Sequence, residues 1–194
     1  MSKADPSQAK KERMKTIRWV VTIFLVTIFV SGAITMISNE MMSKSGIVTS
    51  FVILLIIVLV GIVFDIIGVA VTSADEAPFH SMAARKVPGS QEAIRLLRNA
   101  ERVSSICNDV IGDICGVVSG SASAAIAAQL LARFEWTVPT LMGLLMSALV
   151  SGLTVGGKAI GKTFAVNSST SIVHFAGKCI CIFHGHRKHS KSKK

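Results

Sequence analysis

The sequence predicts an all-α integral membrane protein with four transmembrane helices, an interfacial helical hairpin on the cytoplasmic side and both termini in the cytoplasm. Four uncharged apolar runs predict the helices, because each has about 20 residues and a helix rises ~1.5 Å per residue. The runs are Trp19–Asn39, Ser45–Phe64, Ile114–Ala132 and Trp136–Gly157. The chain has 194 residues, of which 51% are hydrophobic, so little room remains for a separate soluble domain.

The distribution of basic residues predicts the topology. Six Lys and Arg residues lie before the first apolar run, five lie in the middle segment 74–105, and six lie in the tail 166–194. The two other connections carry only Lys44 and Arg133. The positive-inside rule therefore predicts a multi-pass protein of the plasma membrane with its basic segments in the cytoplasm. The net charge of +10 then indicates contact with anionic lipid at the cytoplasmic face, and not nucleic-acid binding.

The chain divides into a basic N-terminal segment, an extra first transmembrane helix, a three-span core and a basic tail. The predicted bounds of these parts are 1–16, 17–39, 46–165 and 166–194. Within the core, the predicted spans cover 46–73, 104–132 and 138–165. A cleaved signal peptide is an alternative for the start, because a basic stretch and an apolar run precede Ser31-Gly32-Ala33. The apolar run continues past Ala33, which favours an uncleaved helix.

The segment 74–105 predicts the interfacial hairpin. Gln91–Ser105 places apolar and charged residues on different faces of a helix, which is typical of an amphipathic helix. Pro88-Gly89 interrupts the chain before it, and Ser90 is a candidate N-cap. A second short helix is predicted within Ser73–Val87, so the pair would lie at the membrane surface. A plain connecting loop is the alternative.

Polar side chains gather near the predicted cytoplasmic ends of three spans. They are Asp65, Asn108, Asp109, Asp113, Lys158 and Lys162. Charge at membrane depth is costly and is commonly functional, so this set predicts a pocket for an ion or a substrate. Carboxylate and amide oxygens suit a hard cation such as Mg²⁺. The alternative is a set of salt bridges between helices, with Lys162 extended toward the interface.

Small residues recur at four-residue spacing in the last two spans. The pairs are Gly116/Gly120, Gly152/Gly156 and Gly157/Gly161. This spacing allows helices to approach closely in a membrane. It is consistent with packing inside one subunit and also with a homodimer.

Three motifs follow one another along the core. Ala70–Ser73 precedes the amphipathic helix, Ile106–Ile114 opens the third span, and Gly157–Lys162 closes the fourth. In order and spacing they resemble the transmembrane domain of the cyclin M / CorB–CorC magnesium and cobalt transporters. The second motif is similar to the family's Ile-Gly-Asn-Asn-Leu-Val-Asn-Ile pattern. The third occupies the place of its Gly-Glu-(Val/Ile)-x-Pro-Lys pattern, and the resemblance extends over about 46–178.

The resemblance implies a homodimer that transports divalent cations, Mg²⁺ above all and also Co²⁺. By position, Asn108 retains the family asparagine and Asp113 replaces the second one. Asp65 lies where the family has serines and a glutamate. Asn108, Asp113 and Asp65 are therefore the implied metal ligands, with Asp109 and Lys158 along the ion pathway. Lys158 stands in the place of the family glutamate, and the printed sequence contains no counterpart of the family's cytoplasmic nucleotide-sensing modules.

The tail carries a separate group of soft metal ligands. Cys179, Cys181, His184 and His186 follow one another closely, and such a set can bind Zn²⁺ or Cu⁺. Cysteines next to a membrane are also acylated or remain reduced. A cationic tail on anionic lipid is the remaining alternative.

Two function classes compete with transport. A membrane enzyme lacks support, since no nucleophile–base–acid order or zinc-protease motif falls at one depth. A non-transporting relative that acts as a membrane interaction or regulatory protein is the stronger alternative. In that case Lys158 is a fixed counter-ion for Asp109 or Asp113.

Overall fold

The computed structural model describes residues 6–133 and 139–191, and within these ranges the chain is helical and contains no strand. The helices are α1 Pro6–Ser43, α2 Ile47–Ser73, α3 Ala77–Ala84, α4 Ser90–Arg98, α5 Ala100–Ser105, α6 Asp113–Arg133, α7 Pro139–Asn167 and α8 Ser169–Lys191. A π-helical segment, Ile106–Gly112, joins α5 to α6.

Four continuous helical stretches are long and apolar enough to cross a membrane. They are Arg13–Ser43, Ile47–Ser73, Ala100–Arg133 and Thr140–Asn167. The prediction of an all-helical chain with four such helices is confirmed. The first helix begins at Pro6, well before the predicted residue 17, because the basic segment continues the same helix. Residues 134–138, which include the connection between the predicted spans 104–132 and 138–165, lie outside the described residues.

Helices α2, α6 and α7 pack against one another and form the main core. Their contact buries apolar side chains from all three helices together with Met42 of α1. The buried members are Met42, Leu54, Val58, Ala122, Ile126, Ala127, Met142, Met146 and Val150. Close packing of this kind fixes the rotation of each helix about its axis, and thereby decides which polar side chains can meet.

Helix α1 lies along α6 and leaves its apolar surface open. The most apolar stretch of α1 buries none of its residues. A hydrogen bond fixes the end of α1 to α6, because the amide nitrogen of Gln129 donates to the carbonyl of Met42 at 2.9 Å. The hydroxyl of Ser50 on α2 donates to the amide oxygen of Gln129 at 3.4 Å. The outward surface of α1 is therefore an apolar face whose exposure to water is unfavourable.

The amphipathic segment folds differently from the single helix predicted over Gln91–Ser105. Helix α4 ends at Arg98, and α5 begins at Ala100 as the first turn of the long third stretch. Asn99 causes the break, since its φ of −116° and ψ of 29° are not helical and its side chain donates to the carbonyl of Arg95. The hairpin therefore consists of α3 and α4 only.

Ser90 does not cap α4, which corrects the predicted N-cap. Gly89 precedes the helix with a φ of +86°, and the Ser90 hydroxyl donates back to the carbonyl of Val87 at 2.7 Å. Glycine is favoured there because its backbone is left-handed. The backbone of α8 also passes close by, and a Cβ at Gly89 would lie 2.6 Å from the backbone of Lys178.

Candidate functional site

An ion pair joins α2 to α7 at the end of the bundle nearest the α3–α4 hairpin. The ammonium of Lys158 lies 3.5 Å from Oδ1 of Asp65. The side chain of Asp65 is 6% exposed and that of Lys158 is 24% exposed. Among the described residues, this is the one ion pair between two of the long apolar helices. A buried carboxylate requires such a partner, because desolvation of an unpaired charge costs several kcal/mol, roughly.

Glycines bring the two helices close enough for this pair. A Cβ at Gly157 would overlap Ile62, and a Cβ at Gly161 would lie 2.8 Å from Ile66. The spacing Gly157/Gly161 therefore serves packing of α7 on α2 within one subunit. Lys158 follows Gly157 directly, and close helix approach carries its side chain to Asp65.

The π-helical segment supplies the third wall of the site. A Cβ at Gly112 would lie 3.3 Å from Nζ of Lys158, so the missing side chain leaves room for the ammonium. A Cβ at Gly68 would overlap the amide oxygen of Asn108, so a second glycine makes room for that side chain. The widened turn of a π-helix is frequent at functional sites, because it alters which side chains face a neighbour.

Two buried oxygens at this site lack hydrogen-bond partners. They are Oδ2 of Asp65 and the amide oxygen of Asn108. The amide nitrogen of Asn108 donates to the Ser104 hydroxyl at 3.2 Å, which turns its oxygen toward Gly68, one helical turn from Asp65. The only other such oxygen in the described residues is the Ser121 hydroxyl. Unpaired buried acceptors cost about 1–3 kcal/mol each, so two on facing helices indicate a place for a donor or a cation.

Asp109 and Asp113 do not join this site. Both are exposed, and Asp109 accepts a hydrogen bond from the Ser105 hydroxyl at 2.8 Å. Asp113 forms no ion pair within the described part of the chain. Lys162 is also exposed. The single polar layer expected from sequence is thus divided. The partner of Lys158 is Asp65, so the pairing with Asp109 or Asp113 given under the non-transporting alternative is wrong.

Few protein atoms at this site are available to bind a cation. Asp65 and Asn108 offer one unpartnered oxygen each, and Lys158 already balances the carboxylate charge. The residues described contain no group of three His, Cys, Asp or Glu side chains placed to hold a metal ion. A hard cation here would complete its shell with water or backbone carbonyls, as Mg²⁺ commonly does.

Gly116 and Gly120 line an open groove between α6 and α7, whereas Gly152 and Gly156 do not line it. A Cβ built at any of these four glycines would meet no atom within 4 Å beyond its chain neighbours and the nearby backbone of its own helix. The groove has a volume of about 180 Å³, and Ser147 and Ser151 add hydroxyls to its wall. Identical four-residue spacing thus has two outcomes: one glycine pair packs inside the subunit, and two pairs remain open.

The tail cluster is described only in part. Cys179 and Cys181 are half-buried free thiols on α8. The side chains of His184 and His186 lie outside the described residues, so metal binding by this group stays a prediction.

Sequence reasoning missed Gly68, Gly112 and Ser104, which shape the site without bearing charge. Gly68 and Gly112 each lie within four residues of a predicted site residue, and this spacing was a usable signal. None of the family models, the curated proteins or the solved structures compared with this chain matches it.

Proposed function

We propose that the chain transports divalent cations, Mg²⁺ above all and also Co²⁺, as a homodimer in the plasma membrane with both termini in the cytoplasm. The unpartnered oxygens of Asp65 and Asn108 carry this proposal, because they leave coordination positions for a hard cation beside a buried charge. The motif resemblance to the cyclin M / CorB–CorC transporters supports it as an analogy.

In this proposal Lys158 is a displaceable charge. A dehydrated cation that reaches Oδ2 of Asp65 repels the ammonium on Oδ1, since both positive charges compete for one carboxylate. The partly exposed lysine side chain has four rotatable bonds with which to withdraw. Its return to Asp65 then releases the cation.

The open groove supports the homodimer. Asp113, Gly116 and Gly120 share one face of α6, because they are three and four residues apart. In lipid, a second subunit would supply hydrogen-bond partners for the exposed hydroxyls of Ser147 and Ser151. A partner against this groove would also place the exposed Asp113 at the subunit interface, where it becomes a further ligand or an entry site for the cation.

The Asp65–Lys158 contact favours one alternative, a non-transporting membrane interaction or regulatory protein. Here the ammonium neutralises the carboxylate of Asp65 permanently, and Lys158 is a fixed internal counter-ion. Asp109 and Asp113 are then free to contact a partner protein, because the structure leaves both exposed.

Mg²⁺ flux into proteoliposomes separates the two functions. The natural chain, Lys158→Glu and Lys162→Glu are compared, the last as a matched charge reversal at an exposed site one turn away. Flux in the natural chain that survives Lys162→Glu supports transport with Lys158 as the displaceable charge. Flux that appears only with Lys158→Glu supports the non-transporting alternative, and no flux in any variant rejects transport.

A further inference from the structure

A positively charged cleft lies between the start of the first long apolar stretch and α5. Its volume is about 770 Å³. Three basic side chains line it, together with two threonines, one carboxylate and an aromatic ring: Lys15, Arg18, Arg102, Thr16, Thr22, Glu101 and Trp19. The cleft is separate from the Asp65–Lys158 site, and neither the ion pathway nor the helix packing requires three cations there.

The basic residues of the cleft have no carboxylate partner. Within the part of the chain that the structure describes, Lys15, Arg18 and Arg102 form no ion pair, although Glu101 lines the same cleft. The guanidinium of Arg102 lies 5.9 Å from the ring centroid of Trp19, and this cation–π contact holds it over the cleft. Three like charges around one cavity repel one another, so an anion bound between them would be stabilised.

The surface next to the cleft identifies the kind of anion. Beyond Trp19, α1 exposes a run of apolar side chains, among them Val20 at 58%, Val21 at 50% and Phe24 at 64% exposure. A tryptophan at the junction of a polar and an apolar surface is typical of the membrane interface. A ligand that fits both surfaces has an anionic head and apolar chains.

We propose that this cleft binds the phosphodiester headgroup of an anionic phospholipid, whose acyl chains lie along the exposed face of α1. Arg18, Arg102 and Lys15 bind the phosphate oxygens, as guanidinium and ammonium groups do. Glu101 accepts a hydrogen bond from a headgroup hydroxyl and disfavours a dianionic ligand. The inference rests on the proposed membrane placement and is independent of ion transport.

Fluorescence quenching of Trp19 tests this assignment in the full chain. The protein has two tryptophans, so the measurement uses the Trp136→Phe background. It is reconstituted in vesicles of phosphatidylcholine and phosphatidylglycerol, with bromine on the acyl chains of one lipid at a time. Brominated phosphatidylglycerol should quench Trp19 more strongly than brominated phosphatidylcholine at equal mole fraction. The preference should fall roughly 5-fold for each basic side chain removed, since each contributes about that factor.

Two charge-matched variants locate the effect. Arg18→Gln/Arg102→Gln should abolish the preference, whereas Arg85→Gln/Arg95→Gln removes the same charge from exposed positions outside the cleft and should retain it. Equal quenching by both lipids in the parent protein overturns the proposal, and this result does not depend on whether the variants fold.

Two further outcomes also decide against the lipid. Loss of the preference on addition of millimolar inorganic phosphate would assign the cleft to a soluble phosphate. Absence of quenching by brominated phosphatidylcholine would overturn the membrane placement itself. Failure of Mg²⁺ flux, by contrast, would not alter the lipid preference, so the two proposals fail separately.

Discussion

The ammonium of Lys158 lies 3.5 Å from Oδ1 of Asp65, while Oδ2 of the same carboxylate has no hydrogen-bond partner. One oxygen of the carboxylate is thus paired with an ammonium from a neighbouring helix, and the amide oxygen of Asn108 lies against Gly68, one helical turn from Asp65. This asymmetry makes the pair both a structural link and a candidate place for a cation.

Removal of the lysine should destabilise the protein. Lys158→Ala leaves Asp65 buried without a counter-ion, and the expected loss is about 3 kcal/mol in the free energy of unfolding. Thermal melting of the purified protein in detergent measures it. The double variant Asp65→Asn/Lys158→Met should recover much of the stability, and Lys162→Ala should be close to neutral because Lys162 is exposed. An unchanged melting temperature for Lys158→Ala would contradict the buried pair.

The glycine beneath Asn108 should be intolerant of a side chain. Gly68→Ala places a methyl group on the amide oxygen of Asn108, so the asparagine must leave its position. We expect Mg²⁺ flux to fall together with a drop of about 1–3 kcal/mol in stability. Gly32→Ala is the matched control, because nothing lies within 4 Å of its added Cβ and Gly32 lines neither the site nor the groove between α6 and α7. If both alanine variants behave alike, Asn108 is not held as described.

The packing of α8 should depend on its close approach to the start of α4. A Cβ at Gly177 would lie 2.5 Å from the carbonyl of Gly89, where α8 crosses the start of α4. Gly177→Ala should therefore loosen α8, and hydrogen exchange should become faster in 169–182 while the α2–α6–α7 core keeps its protection. Gly143→Ala, which meets no atom within 4 Å, provides the control. Unaltered exchange in Gly177→Ala would refute the docking of α8 on α4.

The open groove should be the contact between subunits. Gly120→Leu fills the groove between α6 and α7 and should convert a dimer into a monomer, measured by size-exclusion chromatography with light scattering in detergent. Gly32→Leu is the comparison, since Gly32 lies on α1 with open space around it. A natural chain that is monomeric at all concentrations, or a Gly120→Leu dimer, would exclude this interface.

The four long helices were predictable because uncharged runs of this length have few other structures in a membrane protein. The break at Asn99 was not, since Gln91–Ser105 satisfies helical periodicity throughout and one side-chain bond to Arg95 decides where the helix ends.

The sequence also could not predict which charged residues would pair. Spacing of four residues shows that Asp109 and Asp113 share a face, but not which neighbour that face meets. Packing sets the rotation of each helix about its axis. The close contact of Gly157 and Gly161 with α2 places the ammonium of Lys158 beside the carboxylate of Asp65. Gly116/Gly120 has the same spacing and no such contact, so spacing alone could not assign either pair.

We propose that Asp65 and Asn108 form a cation site controlled by Lys158. The most direct measurement is Mg²⁺ flux into proteoliposomes for the natural chain and for Asn108→Ala, which removes an unpartnered oxygen and leaves the Asp65–Lys158 pair intact. We expect flux in the natural chain and a loss of at least about tenfold in Asn108→Ala, with little change in melting temperature. Equal flux in the two proteins, or none in the natural chain, would contradict it.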